Sequence, residues 1–346
     1  MTVTDNEHSN VEELRIGLIA DIEGVRCLAA AIDQPGLRLV AQSGMRLEDG
    51  VPNVEWFDDA RVLIAQSGVV GLILATATRA AVELAQIAVN HGVAVWRPPP
   101  LARSFTEAAE VAMHIRQHET LHVVASWWES IAPNVYALID PGTKFKPIFS
   151  SLRVSAAGPT VQSWRASRVD AAGGVLACDA YNLLEALIQA RKLPELVSAG
   201  ICVVQRREGQ PPRETENVAG AVLHYEGGGL AMIQATWDQP PYCQILEHQA
   251  ADLALVLEPE RVLTRAPSGV VRGEEPLSAE TYLSQELQRF AAMIGEPDAA
   301  IRIDQTIERH MAVSALLQAI YLSARTGLPE SPQKLYEVQG WPEPHW

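Results

Sequence analysis

Asp179 is the residue whose type and setting best suit chemistry. It stands at the opening of a predicted helix, in the run ACDAYN, with Cys178, Tyr181 and Asn182 beside it. A carboxylate at such a point can bind a hydroxyl. If buried, it can also take a proton as a general base, with a phenol such as Tyr181 completing a pair. It can equally serve packing, as an inward-facing hydrogen-bond acceptor. Trp164, Arg165 and Arg168 come shortly before this helix. Arginine there suits an anionic or polyhydroxylated ligand, because its planar fork donates parallel hydrogen bonds. Arg97 could hold a carboxylate or phosphate but does not deprotonate, so it is no base. Cys178 has little support as a nucleophile, since no histidine lies between His122 and His224. His114, His118 and His122 recur every four residues. They lack the acidic partner of a zinc motif and run past a helix end, so they read as a solvated face. No metal centre is expected.

The elements that must position these side chains fall into two textures. Over residues 14–125 the runs LRIGLIA, LRLVAQS, VVGLILAT, VAVW and LHVVA read as strands buried on both faces. Between them VRCLAAAID, DDARVLIAQS, AAVELAQIAVNHG and TEAAEVAMHIRQH carry helical spacing, and Gly92 after His91 marks a helix end. This alternation implies βαβ units and a doubly wound parallel sheet. After Pro133 the pattern changes. A helix over 134–139 and a turn at Asp140-Pro141-Gly142 lead into the strand IFSSLRVSA. A helix over 174–190 follows, then the extended runs VSAGICVVQRR, ENVAGAVLHYE, GLAMIQATW, CQILEHQ and ADLALVLE. Gly227-Gly228-Gly229 reads as a hairpin turn. Helices over 279–294 and 304–326 end the chain. The fold class is therefore α/β, a doubly wound parallel sheet plus a C-terminal α+β domain with a largely antiparallel sheet. The divisions expected are a loose tail over 1–13, then 14–125 and 126–346. Trp127-Trp128-Glu129 falls at the junction, where packing between the two parts is the expected role.

Composition narrows the partners. The 346 residues carry 27 Lys and Arg against 42 Asp and Glu, a net charge of −15. That excludes the basic footprint of a nucleic-acid or anionic-membrane binder. The four cysteines form no CxxC pair, which argues against disulfides and a thiolate zinc site. The acidic start MTVTDNEHSNVEEL is neither a signal nor a transit peptide. No apolar run approaches the ~20 residues needed to span a bilayer. A reduced, cytoplasmic protein is expected, with a small-molecule ligand and neither nucleic-acid nor membrane partners.

Four stretches in order, PNVYALIDPGTKFKPIFSSLRVS, WRASRVDAAGGVLACD, LHYEGGGLAMIQATW and SARTGLPESP, resemble the Gfo/Idh/MocA family of glucose–fructose oxidoreductase, inositol dehydrogenase and related enzymes. The resemblance runs over about residues 14–332. It implies a Rossmann-like NAD(P)-binding domain followed by a substrate and oligomerisation domain. It also implies NAD or NADP as cofactor, a sugar or polyol derivative as ligand, and a homo-oligomer, dimer or tetramer. Cofactor contacts would then fall at Ala20, Ile22, Gly24, Ser43, Arg46 and Thr76. Ligand contacts would fall at Arg97, Trp164, Arg165, Arg168 and Asn182, and catalysis at Asp179 and Tyr181.

The scaffold matches better than the functional residues. A dinucleotide loop needs G-x-G-x-x-G so that the backbone and a helix N-terminus can meet the pyrophosphate. Here the stretch is Ala20-Asp21-Ile22-Glu23-Gly24-Val25, with one glycine out of register. Ile22 puts a branched side chain where a phosphate would lie. Asp21 and Glu23 can cap the helix themselves and would repel the phosphates. The second strand ends Gln42-Ser43-Gly44-Met45-Arg46, which resembles the family's NADP-type variant, or is a polar loop with one solvated arginine. The family's Glu-Lys-Pro turn becomes Pro98-Pro99-Pro100. Residues 1–143 contain no lysine, so the usual amine is missing. The resemblance implies that this turn keeps its path and has a cis bond at Pro99–Pro100. The family's histidine four residues after its aspartate, expected on the same helix face, is Leu183. Two readings follow: a ligand-binding, regulatory or scaffold protein with cofactor binding weakened or lost, or an NAD(P)-dependent oxidoreductase with a reworked site around Asp179.

Overall fold

The computed structural model describes residues 13–24, 34–45, 53–139, 145–204, 213–296 and 298–344. The predicted helix over 25–33, Arg46, the turn at 140–142 and nearly all of the expected tail lie outside the described residues.

Six parallel strands form the first sheet: β1 (Leu14–Ala20), β2 (Leu37–Gly44), β3 (Glu55–Phe57), β4 (Gly71–Ala75), β5 (Ala94–Arg97) and β6 (His122–Val124). Their order is β3-β2-β1-β4-β5-β6. The continuous apolar runs are buried on both faces, with Ile16, Leu18, Leu72, Ile73 and Val95 fully enclosed. That is the condition under which a parallel sheet is stable. Helices α1 (Ala60–Gln66), α2 (Thr78–Asn90) and α3 (Phe105–Gln117) cover it. Gly92 follows α2 in the left-handed region, as its position predicts. The strand order reverses between β1 and β4, so the turns after these strands border the crevice where ligands bind in such sheets.

The second sheet has eight strands: β7 (Phe149–Ala156), β8 (Leu196–Cys202), β9 (Val218–His224), β10 (Leu230–Trp237), β11 (Cys243–Gln249), β12 (Ala254–Glu258), β13 (Arg261–Arg265) and β14 (Val271–Pro276). Their order is β14-β13-β12-β11-β7-β10-β9-β8, and among the described strands of this sheet only β7 and β10 pair in parallel. The hairpin at Gly227-Gly228-Gly229 forms between β9 and β10. There Tyr225 N–H donates to Gly229 O at 2.9 Å, and Gly227 and Gly228 take φ of 80° and 92°. Along β10, Ala231, Ile233, Ala235 and Trp237 are buried, while Leu230, Met232 and Gln234 stay exposed. One face of the sheet is therefore packed and the other open.

The remaining helices are α4 (Trp127–Leu138), α5 (Val175–Cys178), α6 (Tyr181–Arg191), α7 (Ala279–Met293), α8 (Ala299–Thr326) and α9 (Gln333–Gln339). They differ from expectation in four respects. Helix α4 begins well before residue 134, because Ser126 Oγ caps it by accepting from Glu129 N–H at 3.3 Å, and it continues through Pro133. The helix expected over 174–190 breaks at Asp179-Ala180 into α5 and α6. Helix α8 starts at Ala299 rather than 304, and α9 had no sequence signal. The late helices serve both sheets. Leu287, Phe290 and Met293 pack with Ile16, Leu18 and Trp96 on the first, while Leu316 and Ile320 join the core of the second. No described helix is long and apolar enough to cross a membrane.

Candidate functional site

The turn after β1 is filled by its own side chains. Asp21 Oδ1 accepts from the backbone N–H of Glu23 at 3.0 Å and of Gly24 at 2.8 Å. These are donors that a phosphate would need at a helix start. Burial pushes the Asp21 carboxyl up and Glu23 adds to the rise, opposed by the two N–H groups and by Trp164. Asp21 Oδ2 and Trp164 Nε1 are nonetheless buried without a hydrogen bond of normal geometry. Ile22 stands half exposed on the turn. Gly24 is present for packing: a Cβ there would lie 1.9 Å from Ala75 O. Ala20 is buried. The residues at this turn do not fit a dinucleotide pyrophosphate.

The end of β2 offers little more. Ser43 is buried, and Gln42 Nε2 donates to Met45 O at 2.6 Å. Gly44, at φ 88°, lets Met45 N–H reach Ala20 O at 2.8 Å. Thr76 is half-buried just past β4.

Across the crevice, a 3₁₀ turn at Trp164–Ala166 carries the second half of the site. Ser163 Oγ donates to Glu23 Oε1 at 2.8 Å, and Arg165 Nη1 lies 4.0 Å from Glu23 Oε2. Arg165 Nη2 donates to Asp179 Oδ2 at 2.5 Å, and Trp237 Nε1 donates to the same oxygen at 2.6 Å. The guanidinium also lies 5.6 Å from the Trp237 ring centroid. Burial pulls the Arg165 pKa down, but Asp179 and Cys178 more than reverse this and it ends raised. Asp179 is thus held as an acceptor by two donors. Burial pushes the Cys178 thiol up to about 12, which removes it as a nucleophile at neutral pH.

The other expected site residues lie elsewhere. Tyr181 is buried and does not pair with Asp179. Its hydroxyl meets His310 Nδ1 at 3.0 Å, while His310 Nε2 faces Val124 O at 3.2 Å. A carbonyl can only accept, so Nε2 carries the proton and the Tyr181 hydroxyl donates to Nδ1. Leu183 and Asn182 line a separate cavity of about 400 Å³ with Trp127, Ser130 and Tyr282. The expected shared face of residues 179 and 183 fails because the chain breaks between α5 and α6. Arg168 is exposed, its backbone N–H donating to Glu214 at 2.9 Å. Arg97 is buried and spent on the fold. It donates to His122 Nε2 at 3.0 Å, Pro100 O at 2.7 Å and Leu101 O at 2.5 Å. The Pro99–Pro100 bond it braces is cis, as the resemblance implied. His122 is buried in the core rather than lying on a solvated helix face with His114 and His118. No group of three His, Cys, Asp or Glu among the described residues could hold a metal.

Sequence reasoning missed the bridge from Glu23 to Ser163, and it missed Trp237 and His310. Trp237 had a signal, since it closes the hairpin stretch LHYEGGGLAMIQATW. His310 had none, being brought from a distant helix.

The sequence matches no family model and no curated protein. Its fold does match solved structures. An NAD-binding oxidoreductase from Klebsiella pneumoniae superposes with a TM-score of 0.73 at 16% identity, over 92% of this chain and 99% of the other. An oxidoreductase from Agrobacterium radiobacter, in complex with NAD+, L-tartaric acid and magnesium, gives 0.69 at 17% over 93% and 99%. Levoglucosan dehydrogenase with NADH and levoglucosan gives 0.73 at 16% over 92% and 99%. The architecture is that of NAD-binding oxidoreductases.

Proposed function

We propose that this chain is a small-ligand-binding protein of Gfo/Idh/MocA architecture that has set aside hydride transfer. The Asp21 carboxyl group on the N–H groups of Glu23 and Gly24 carries this reading, because it occupies two donors that a phosphate would use. The missing lysine and the engagement of Asp179 by Arg165 and Trp237 support it. The ligand class is a sugar or polyol derivative held near Arg165 and Asp179. The NADH-bound relatives of this fold favour a second reading, an oxidoreductase that binds NAD(P) through the altered turn.

Titration with NADH and NADPH, followed by nicotinamide fluorescence, separates the two. Millimolar or undetectable binding is expected, and micromolar binding of either overturns the proposal. The double change Asp21→Gly with Ile22→Gly should tighten binding by about tenfold, as one carboxylate leaves the helix start and two donors are freed.

We also propose that the open face of the second sheet pairs with a second copy. Leu196, Leu230 and Met232 are exposed on it, and large apolar side chains gathered on one sheet face are commonly covered by a partner. Met232→Glu should convert a dimer or tetramer to monomer in sedimentation at micromolar concentration. A wild-type monomer would refute the pairing.

A further inference from the structure

Five charged side chains, from buried Glu185 and Glu286 to partly exposed Glu129 and Arg289, meet away from the turn at Asp21, where helices of both sheets come together. Glu185 of α6 is fully buried and Glu286 of α7 nearly so. Glu129 of α4 completes the acids. Arg289 of α7 donates to Glu286 at 2.6 Å and to Glu129 at 3.0 Å. Arg309 of α8 donates to Glu129 and lies 3.6 Å from Glu185. Thr306 Oγ1 donates to Glu129 at 2.6 Å, and Ser130 Oγ to Glu286 at 3.1 Å.

Ser126 is the knot of this cluster. It follows β6, at the point where the chain leaves the first sheet. Its hydroxyl donates to Glu185, and its N–H donates to Glu286 at 3.3 Å. The two most buried acids therefore grip one residue, from helices on different parts of the fold. Helix α7 packs on the first sheet through Leu287 and Phe290, whereas α6 belongs to the core of the second.

The charges do not balance. Three carboxylates face two guanidiniums. Among the described residues the other groups facing them add no charge: burial and the nearby Arg309 and Arg97 hold His310 neutral, Tyr181 and Tyr282 stay neutral phenols, and Arg302 pairs with Glu296 at 2.9 Å. A cavity of about 30 Å³ beside Ser126, Glu286 and His310 has room for one water. An uncompensated buried carboxylate is costly, and the cheaper state keeps a proton.

We propose that this cluster is a proton-operated clamp between the two halves of the molecule, closed while one of its carboxyls is protonated and loosened when that proton leaves. Burial, reinforced by Glu129 and only partly opposed by Arg289, pushes Glu286 up to about 7. Glu185 is raised in the same direction. A carboxyl with a raised folded pKa contributes stability that is fully present below its unfolded value. That contribution is lost as pH rises through the folded value. The clamp therefore weakens between about pH 4.5 and 7, and its cost is complete above that.

Amide hydrogen exchange and thermal melting of the full chain, at pH 5.5 to 8.5 and constant ionic strength, test the clamp. Opening of residues 126–139 and 181–191 should rise about 30-fold over this range in the wild type, as one proton is lost between pKa values near 4.5 and 7. Glu286→Gln should flatten the profile. Glu129→Gln removes the same excess charge from a less buried site and should flatten it too, which keeps the test valid if the first variant does not fold. A flat wild-type profile, a variant profile parallel to it, or opening spread evenly over the chain overturns the proposal. So does a melting point that follows sodium or potassium identity rather than pH, since a bound cation would then balance the charge.

Discussion

Gly174→Ala is expected to cost about 3 kcal/mol or more, among the largest effects a single methyl group can have here. The added Cβ would lie 1.8 Å from Glu216 O and 2.7 Å from its carbonyl carbon. Backbone on both sides must then move. The contact cannot relax cheaply, because Glu216 is tied to the same turn. Its carboxylate accepts from Gly174 N–H at 2.7 Å and Leu176 N–H at 3.2 Å, and its carbonyl accepts from Val175 N–H at 3.0 Å. Tyr321 donates to it as well, at 3.0 Å. Asp179 caps the other end of this one-turn helix, so the change should also disturb its contact with Arg165. Gly200→Ala is the control: it lies in β8 with nothing within 4 Å of the added atom and should change stability by no more than ~0.5 kcal/mol. Urea melts of the two variants check this, and coincident midpoints would show that the approach of α5 to Glu216 is looser than described.

The second large effect is at Asp179. Alanine there strands Trp237 Nε1, on a residue that is only 1% exposed, and leaves Arg165 without its partner. Breaking one side of such a pair costs about 2–4 kcal/mol, mostly from the donors left unpaired. Asp179→Asn keeps an acceptor for the indole and should cost about 1 kcal/mol. The ordering alanine worse than asparagine, read from denaturant midpoints and from the emission of Trp237, is the diagnostic result. Equal and negligible costs would mean that water already satisfies these donors.

The sequence by itself determined the two-sheet architecture. Apolar runs such as VVGLILAT can only be stable covered on both faces, and the alternation in GLAMIQATW demands one covered face and one open face. The absence of any lysine before residue 144 was legible too. So was the capping role of Asp21, because an acid immediately before a helical turn reaches its N–H groups whatever surrounds it. These are local properties, carried by residue type over a few positions.

What the tertiary structure decided lies in contacts between residues far apart in the chain. Arg97, a plausible ligand contact by type, is consumed in bracing the proline turn because His122 arrives beside it on β6. Tyr181 turns from Asp179 to His310, 129 positions away. The break at Asp179-Ala180 separates Asp179 from Leu183, which no helical periodicity anticipates, since it serves the packing of Gly174 on Glu216 and of Asp179 on Trp237. Glu129, Glu185 and Glu286 look like ordinary surface acids in three separate helices. Only the folding of α4, α6 and α7 around Ser126 brings them together and buries Glu185 and Glu286, and burial with unequal counter-charge is what favours a retained proton there.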